Sequence, residues 1–280
     1  MRVAVTGSSG LVGRHVVVAL LGEGHSIVGV DSVLVSQSPI EQLVVDLRDF
    51  GTVVEALSGC DVVVHAGAIP RPTGHVGSQV FANNTLGTYN VVEACLVLGI
   101  SQLVYASSYS VVGLPFNEAP VDIRYLPLDE AHPNAPQDAY ALSKYLGEEI
   151  IEAAVRRRRL QATSIRMPWV QTPESFGREV VPLREDPVAA ERSLWSYVDA
   201  RDVGRAFALA VGRSGEGHRR ILVSAADTFM DCETKSLVVS AFGGVELRGD
   251  LDGCAGVIDC TLAQRLIGYV AQHSWREYSL

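Results

Sequence analysis

"RVAVTGSSGLVG", residues 2–13, opens the chain as a short apolar run that breaks at a glycine-rich turn. Glycines fall at positions 7, 10 and 13. A buried strand, a tight turn and a helix start, in that order, present backbone amides to a phosphate. Gly7 permits the turn, Gly10 lets the backbone approach a pyrophosphate, and Gly13 lets helix and strand pack closely. The spacing is GxxGxxG, and the loop alone says nothing about catalysis.

The pattern continues outward from this turn. Residues 11–22 read as a helix and "SIVGVD" (26–31) as a second strand. A short helix near 52–58 precedes a strand in "DVVVHAG" (61–67), and residues 84–98 read as a helix. "QLVYAS" (102–107) is a strand, 138–156 a long helix and "QATSIRMP" (161–168) a further strand. Apolar strands alternating with helices predict an α/β fold, a doubly wound parallel sheet of Rossmann type covered on both faces. Ligands of such sheets lie beyond the carboxyl ends of the strands.

After residue 168 the periodicity loosens. Residues 169–195 carry three prolines, "LWSYVDARDVGRAFALAV" (194–211) returns to strand, turn and helix, and "RRILVSA" (219–225) is another strand. Asp199 or Asp202 can cap the helix. Residues 233–280 read as short helical pieces and turns. The expected division is a dinucleotide domain (1–168 and 196–224) with a small discontinuous substrate-binding cap (169–195 and 225–280).

Asp31 ends the second strand, 18 residues after Gly13. A carboxylate there accepts from an adenosine ribose and repels a 2′-phosphate, which favours NAD over NADP. Asp46, in "VDLRD" (45–49), is either adenine-facing or a turn residue.

Composition narrows the partners. The 280 residues are 48% hydrophobic, enough for a sizeable core. With 23 Lys+Arg against 32 Asp+Glu the net charge is −9, which argues against a nucleic-acid partner. The basic run "RRRR" (156–159) reads as a solvated helix end. No apolar stretch reaches the ~18 residues of a membrane span, and the N-terminus enters a strand directly, so neither membrane anchor nor signal peptide is expected. Five cysteines without a CxxC pair suggest reduced thiols and a cytoplasmic protein, and no His/Cys cluster has metal-ligand spacing.

In "YALSKYLGEE" (140–149), Tyr140 and Lys144 lie one helical turn apart on one face. A phenol, with a pKa near ~10, is a poor base at neutral pH, and a nearby cation is expected to lower that value. Such a Tyr can move a proton at a carbinol oxygen. "VYASSYSVVG" (104–113) brings two serines to the same sheet edge, where a hydroxyl can orient a substrate oxygen or simply bond within its loop.

Together these pieces resemble an extended short-chain dehydrogenase/reductase of the NAD-dependent epimerase/dehydratase family. The resemblance rests on TGxxGxxG at 6–13, Asp31, "DLRD" (46–49), "VVHAGAIP" (63–70), "NTLGTYNVVEAC" (84–95), "YASSYSVVG" (105–113), "YALSK" (140–144) and "YVDARDVGRA" (197–206), in family order over 1–210. It implies that Tyr140 is the general base, that Lys144 binds the nicotinamide ribose and tunes the Tyr, and that Ser108 orients the reacting oxygen, with Ser107 as runner-up. It also implies that Asn84 and the loop Ala66, Gly67 and Ala68 serve the cofactor. The expected NAD-binding set is Gly7, Gly10, Leu11, Val12, Gly13, Asp31, Asp46, Leu47, Ala66, Gly67, Ala68, Asn84, Tyr140, Lys144 and Met167. The expected substrate set is Ser108, Tyr109 and Arg192, with no metal.

Departures from the family pattern narrow the reaction. Tyr109-Ser110 stands where dehydratases carry Asp-Glu, and Ser110 replaces the Glu of decarboxylases. "IRMPWVQTPES" (165–175) keeps the Arg and Pro of the nucleotide-sugar epimerase segment but loses its Asn and YGP. "QTPES" and "RSLWSYVDARDV" (192–203) resemble short members such as uronate dehydrogenases, which oxidise a free sugar acid at C1. The expected function is therefore an NAD-dependent sugar or uronate dehydrogenase. A nucleotide-sugar 4-epimerase and a non-catalytic NAD-binding sensor are the alternatives. Arg192 suits a substrate anion or solvent, and Arg166 a structural salt bridge. The resemblance also implies a homodimer built on helices 84–98 and 138–156.

Overall fold

The computed structural model describes residues 1–157, 160–213 and 215–279. Arg158 and Arg159 of the basic run lie outside the described residues. Arg156 and Arg157 occupy the last turn of a helix, where Arg157 pairs with Glu93 at 2.6 Å.

The chain alternates as its apolar runs require. The first half contains β1 (Arg2–Thr6), α1 (Leu11–Gly22), β2 (Ser26–Asp31), β3 (Glu41–Val44), α2 (Phe50–Leu57), β4 (Val62–His65), α3 (Gly77–Leu98) and β5 (Gln102–Ser108). Then follow β6 (Tyr125–Leu126), α4 (Ala139–Arg157), β7 (Gln161–Met167), β8 (Trp169–Gln171), α5 (Pro173–Glu179) and α6 (Pro187–Ala190). The chain closes with β9 (Tyr197–Asp199), α7 (Ala200–Gly212), β10 (His218–Leu222), α8 (Thr234–Ala241), β11 (Glu246–Leu247) and α9 (Thr261–Ile267).

Local chemistry sets the helix starts. Asp49 caps α2 by accepting from the Gly51 and Thr52 amides. The Asp138 carboxylate accepts from the Tyr140 and Ala141 amides at 2.8 and 2.9 Å and so fixes the start of α4. Of the two candidates, Asp199 caps α7. Asp202 instead holds the C-terminal segment by accepting from the Gln272 and His273 amides. One helix differs from expectation: α3 begins at Gly77 rather than at 84. Its added residues, GSQVFAN, mix polar and apolar types, and the fully buried Val80 anchors them.

Seven strands form one parallel sheet in the order β10-β7-β5-β4-β1-β2-β3. The order reverses about β1, so the switch point lies between β1 and β4, where such sheets bind ligands. On one face Val16, Val17 and Leu20 of α1 pack with Val203 and Phe207 of α7; on the other lie Val91, Val92, Ile151 and Ala154. A third apolar cluster joins Tyr109–Leu128, the stretch between β5 and α4, to residues beyond 175, including Phe176, Trp195, Phe229 and Trp275. Two small parallel pairs, β8–β9 and β6–β11, flank the main sheet.

The sheet also buries an ion pair. Arg166 on β7 and Glu148 on α4 are 2% and 0% exposed, and the guanidinium engages both carboxylate oxygens at 2.9 and 2.7 Å. This is the structural salt bridge expected for Arg166. Burial works to raise the Glu148 pKa, and the Arg166 hydrogen bonds and charge outweigh it, so the carboxyl titrates below its ordinary range. The pair's contribution is therefore present above the ordinary carboxylate range and fades as the pH falls through the lowered value. Removing one partner strands the other charge in the interior. Arg166→Met is expected to cost about 3–5 kcal/mol in urea unfolding, and adding Glu148→Leu to recover most of that loss.

Candidate functional site

The phosphate turn is built as its glycines predict. Gly7 has φ +72°, and a Cβ there would lie 2.6 Å from the Ala66 carbonyl carbon and the Gly67 amide nitrogen. A Cβ on Gly13 would lie 2.0 Å from the Gly7 carbonyl oxygen. The backbone of β1, the start of α1 and the loop after β4 therefore meet with no room for a side chain. Gly10 precedes α1 without a side-chain cap, and Leu11 and Val12 are half-buried in its first turn. The amides at that helix end are left available for an anion.

Asp31 stands at the end of β2, half-buried. It accepts from the Ser9 amide at 2.9 Å and the Val33 amide at 3.2 Å, which places the carboxylate beside the glycine turn. Asp46 is exposed and held by Arg48 at 2.6 Å; the hydrogen bonds and charge of Arg48 lower its pKa. Leu47 packs under the loop after β4, where a Cβ on Gly67 would lie 2.6 Å from its Cδ1. Ala66, Gly67 and Ala68 are half-buried in that loop.

Asn84 is buried in α3 and clips this loop in place. Its Oδ1 accepts from the Ile69 amide at 2.8 Å, and its Nδ2 donates to the Ile69 carbonyl and to Ser143 Oγ on α4. His65, at the end of β4, supports the loop from below. Its two ring nitrogens bond Thr6 Oγ1 at 2.7 Å and Thr88 Oγ1 at 3.0 Å, and Thr6 Oγ1 accepts from the Gly67 amide. Neither Thr6 nor His65 stood out in the sequence, where both read as parts of apolar strands.

Ser108, Tyr140 and Lys144 come together at the carboxyl edge of β5. Ser108 is 6% exposed and Lys144 4% exposed. Lys144 Nζ donates to the Ala106 carbonyl at 2.6 Å and lies 5.8 Å from the Tyr140 ring centre. Between the two adjacent serines the structure discriminates. Ser107 Oγ donates to Glu148 Oε1 at 2.6 Å, away from the edge. Ser108 faces the Tyr140 phenol and accepts from the Ser110 amide. Met167, buried at the end of β7, lies beside Ser108 in register.

One expectation is corrected. Lys144 is not among the groups that shift the Tyr140 pKa. Burial raises Tyr140 to about 12, with Ser108 pulling it back and Asp138 adding to the rise. Burial also lowers Lys144 to about 7, against the attraction of Glu148. Burial thus acts against the charged form of both groups.

The other two residues expected to face substrate, besides Ser108, sit differently. Tyr109 is 3% exposed within the third apolar cluster, and its hydroxyl reaches the Ser193 carbonyl at 3.5 Å. Arg192, next to Ser193 in the chain, is exposed. Glu148 and Asp138 escaped the sequence reading, although both lie in or beside the helix segment that carries the Tyr and Lys.

Among the described residues no group of three or more His, Cys, Asp or Glu is arranged to hold a metal. No described helix is long and apolar enough to cross a membrane.

Comparison with known proteins assigns the chain to a family. Residues 3–223 match the model of the NAD dependent epimerase/dehydratase family. An L-arabinose 1-dehydrogenase (NAD(P)(+)) of Haloferax volcanii is 31% identical over 201 residues, covering 69% of this chain and 76% of that protein. A putative UDP-glucose 4-epimerase of Methanocaldococcus jannaschii is 32% identical over 159 residues, covering 54% of this chain and 50% of the relative. A short-chain dehydrogenase/reductase superfamily protein from Agrobacterium tumefaciens, solved with bound NAD, superposes with a TM-score of 0.72 at 22% identity, covering 99% and 94% of the two chains. The Gly7–Gly13 cradle, the uncapped start of α1 and Asp31 fit that cofactor. With a family match spanning most of its length, the chain belongs to the NAD dependent epimerase/dehydratase family and is an enzyme that uses NAD.

Proposed function

We propose that this enzyme is a sugar dehydrogenase that oxidises a carbinol of a free sugar or sugar acid. The observation that carries the reading is the meeting of Ser108, Tyr140 and Lys144 at the sheet edge that also holds the glycine turn. The likeness to an L-arabinose 1-dehydrogenase over 69% of the chain supports a free sugar as substrate. The substrate would sit between this edge and the cap, residues 169–195 and 225–280, with Arg192 as a candidate contact at its rim.

In this reading the amides at the start of α1 hold the pyrophosphate, Asp31 holds the adenosine ribose and Lys144 the nicotinamide ribose. When bound, the nicotinamide supplies the acceptor for a hydride. The Ser108 hydroxyl orients the substrate oxygen. Tyr140 Oη takes the proton that leaves this oxygen as its carbon is oxidised, and gives it back in the reverse direction. For that role the Tyr140 pKa must fall from about 12. An ammonium kept 5.8 Å from the ring would lower the phenolate's energy by about 3 kcal/mol at an effective dielectric near ~20, roughly two pKa units.

A second reading, a nucleotide-sugar 4-epimerase, is favoured by the likeness to the putative UDP-glucose 4-epimerase. The two differ in whether NADH leaves. With NAD and a panel of aldoses, uronic acids and nucleotide sugars, the dehydrogenase reading expects stoichiometric NADH from a free sugar. A new epimer without NADH would select the other reading.

We also infer a homodimer. Leu86, Tyr89 and Val97 on α3 and Leu142 on α4 are exposed apolar side chains on helices that pack against each other, which suits a bundle with a second copy. Light scattering should give twice the chain mass.

Tyr140→Phe is expected to lower kcat by about 10²–10⁴-fold while the Kd for NAD stays within a factor of about two. Full turnover in this variant would show that Tyr140 is not the proton-handling group. Asp31→Ala is expected to raise the NADP-to-NAD ratio of kcat/KM about tenfold by removing the repulsion of a 2′-phosphate.

A further inference from the structure

Tyr140, Lys144 and Glu148 follow one another at four-residue intervals on α4 and so share a face. The last three residues of β5 meet that face one by one. The Ala106 carbonyl accepts from Lys144 Nζ, Ser107 Oγ donates to Glu148, and Ser108 faces Tyr140. Glu148 is then gripped from behind. Arg166 on β7 takes both its oxygens, and Arg220 on β10 reaches Oε2 at 3.1 Å. Arg220 also extends to Glu149 and Glu152, so two successive turns of α4 are tied to the edge of the sheet. The proton transfer assigned to Tyr140 has no use for a buried carboxylate at this place.

We propose that Glu148 is a positioning residue for the reaction, clamped by Arg166 and Arg220 so that its charge faces Lys144 and its bond to Ser107 lines Ser108 up with Tyr140. This rests on the reading of Tyr140 and Lys144 as the proton-handling pair.

The groups around Lys144 leave the electrostatic part of this task to Glu148. His65 on β4 is neutral, because burial and Lys144 itself push its pKa down to about 3. Tyr105 on β5, whose ring lies 5.0 Å from Nζ, stays protonated because burial pushes its pKa up. Tyr140 is protonated in the resting protein for the same reason. Burial drags Lys144 down, and Glu148 is the charge that pulls it back. On the far side of Glu148, His218 is held neutral by burial, down to about 4, so arginine charge dominates there and keeps the carboxylate ionised. Without Glu148 the ammonium would be lost at lower pH, and the phenol would lose its partner.

The chain has two lysines, Lys144 and the exposed Lys235, so NMR of isotope-labelled lysine ε-carbons reads Lys144 against an internal reference. The cofactor-free wild-type protein is expected to show a Lys144 midpoint near neutrality. In Glu148→Gln this midpoint should fall by about one pH unit, with Lys235 unmoved and the alkaline limb of kcat following Lys144 downward. Arg220→Gln leaves the Arg166–Glu148 pair in place and removes a positive charge, so it should move the midpoint upward. An unchanged Lys144 midpoint in folded Glu148→Gln, or in Arg220→Gln where the first variant does not fold, would overturn the proposal. If the midpoint moves but Tyr140→Phe retains full turnover, the clamp stands as a control of Lys144 charge, and the assigned proton pair is the part overturned.

Discussion

The site depends on how closely α4 crosses the end of β5. Three consecutive strand residues engage three successive turns of one helix face, so a slip of the helix by a single residue would separate all of them at once. The parallel sheet imposes this crossing. The chain must pass from β5 over the sheet and return to β7, and α4 is the element that covers that passage. A buried Arg–Glu pair then ties the helix to β7.

The same topology explains why nucleotide and catalytic features converge. The glycine turn after β1, the loop after β4 and the serines ending β5 belong to adjacent strands running in one direction. Their carboxyl ends therefore open on one crevice. Asn84 and His65 stiffen the floor of that crevice through hydrogen bonds to the loop after β4 and to Thr6. In the proposed reading, a cofactor held at the glycine turn would lie along the same sheet edge as Lys144.

Much of this was legible in the sequence, for physical reasons that can be named. Strands buried on both faces must be continuously apolar, and a phosphate turn must lack side chains, so β1, β2, β4 and Gly7–Gly13 announce themselves. Tyr140 and Lys144 are visible because a four-residue spacing has only one meaning on a helix. The early start of α3 was not legible, since its first seven residues, GSQVFAN, open on glycine and carry no side-chain cap, although Val80 is fully buried. Glu148 stood in plain view four residues beyond Lys144, but a Glu on a helix usually faces solvent, and only its arginine partners reveal its burial. The Tyr140–Lys144 electrostatics were misjudged because spacing gives proximity and not burial, and burial here outweighs the charge. The environment of Tyr109 and Arg192 was the least legible. The Tyr109 hydroxyl meets the Ser193 carbonyl 84 residues away, and no local period records such a contact.

The central claim is that one sheet edge carries both the cofactor and the proton-handling pair. The most direct measurement is a crystal structure of the enzyme with NAD. It should place the pyrophosphate on the amides that open α1, the adenosine ribose hydroxyls on Asp31, and the nicotinamide ribose within hydrogen-bonding distance of Lys144, with the ring beside Tyr140 and Ser108. NAD bound at the glycine turn with its nicotinamide directed away from Tyr140 and Lys144 would contradict the account.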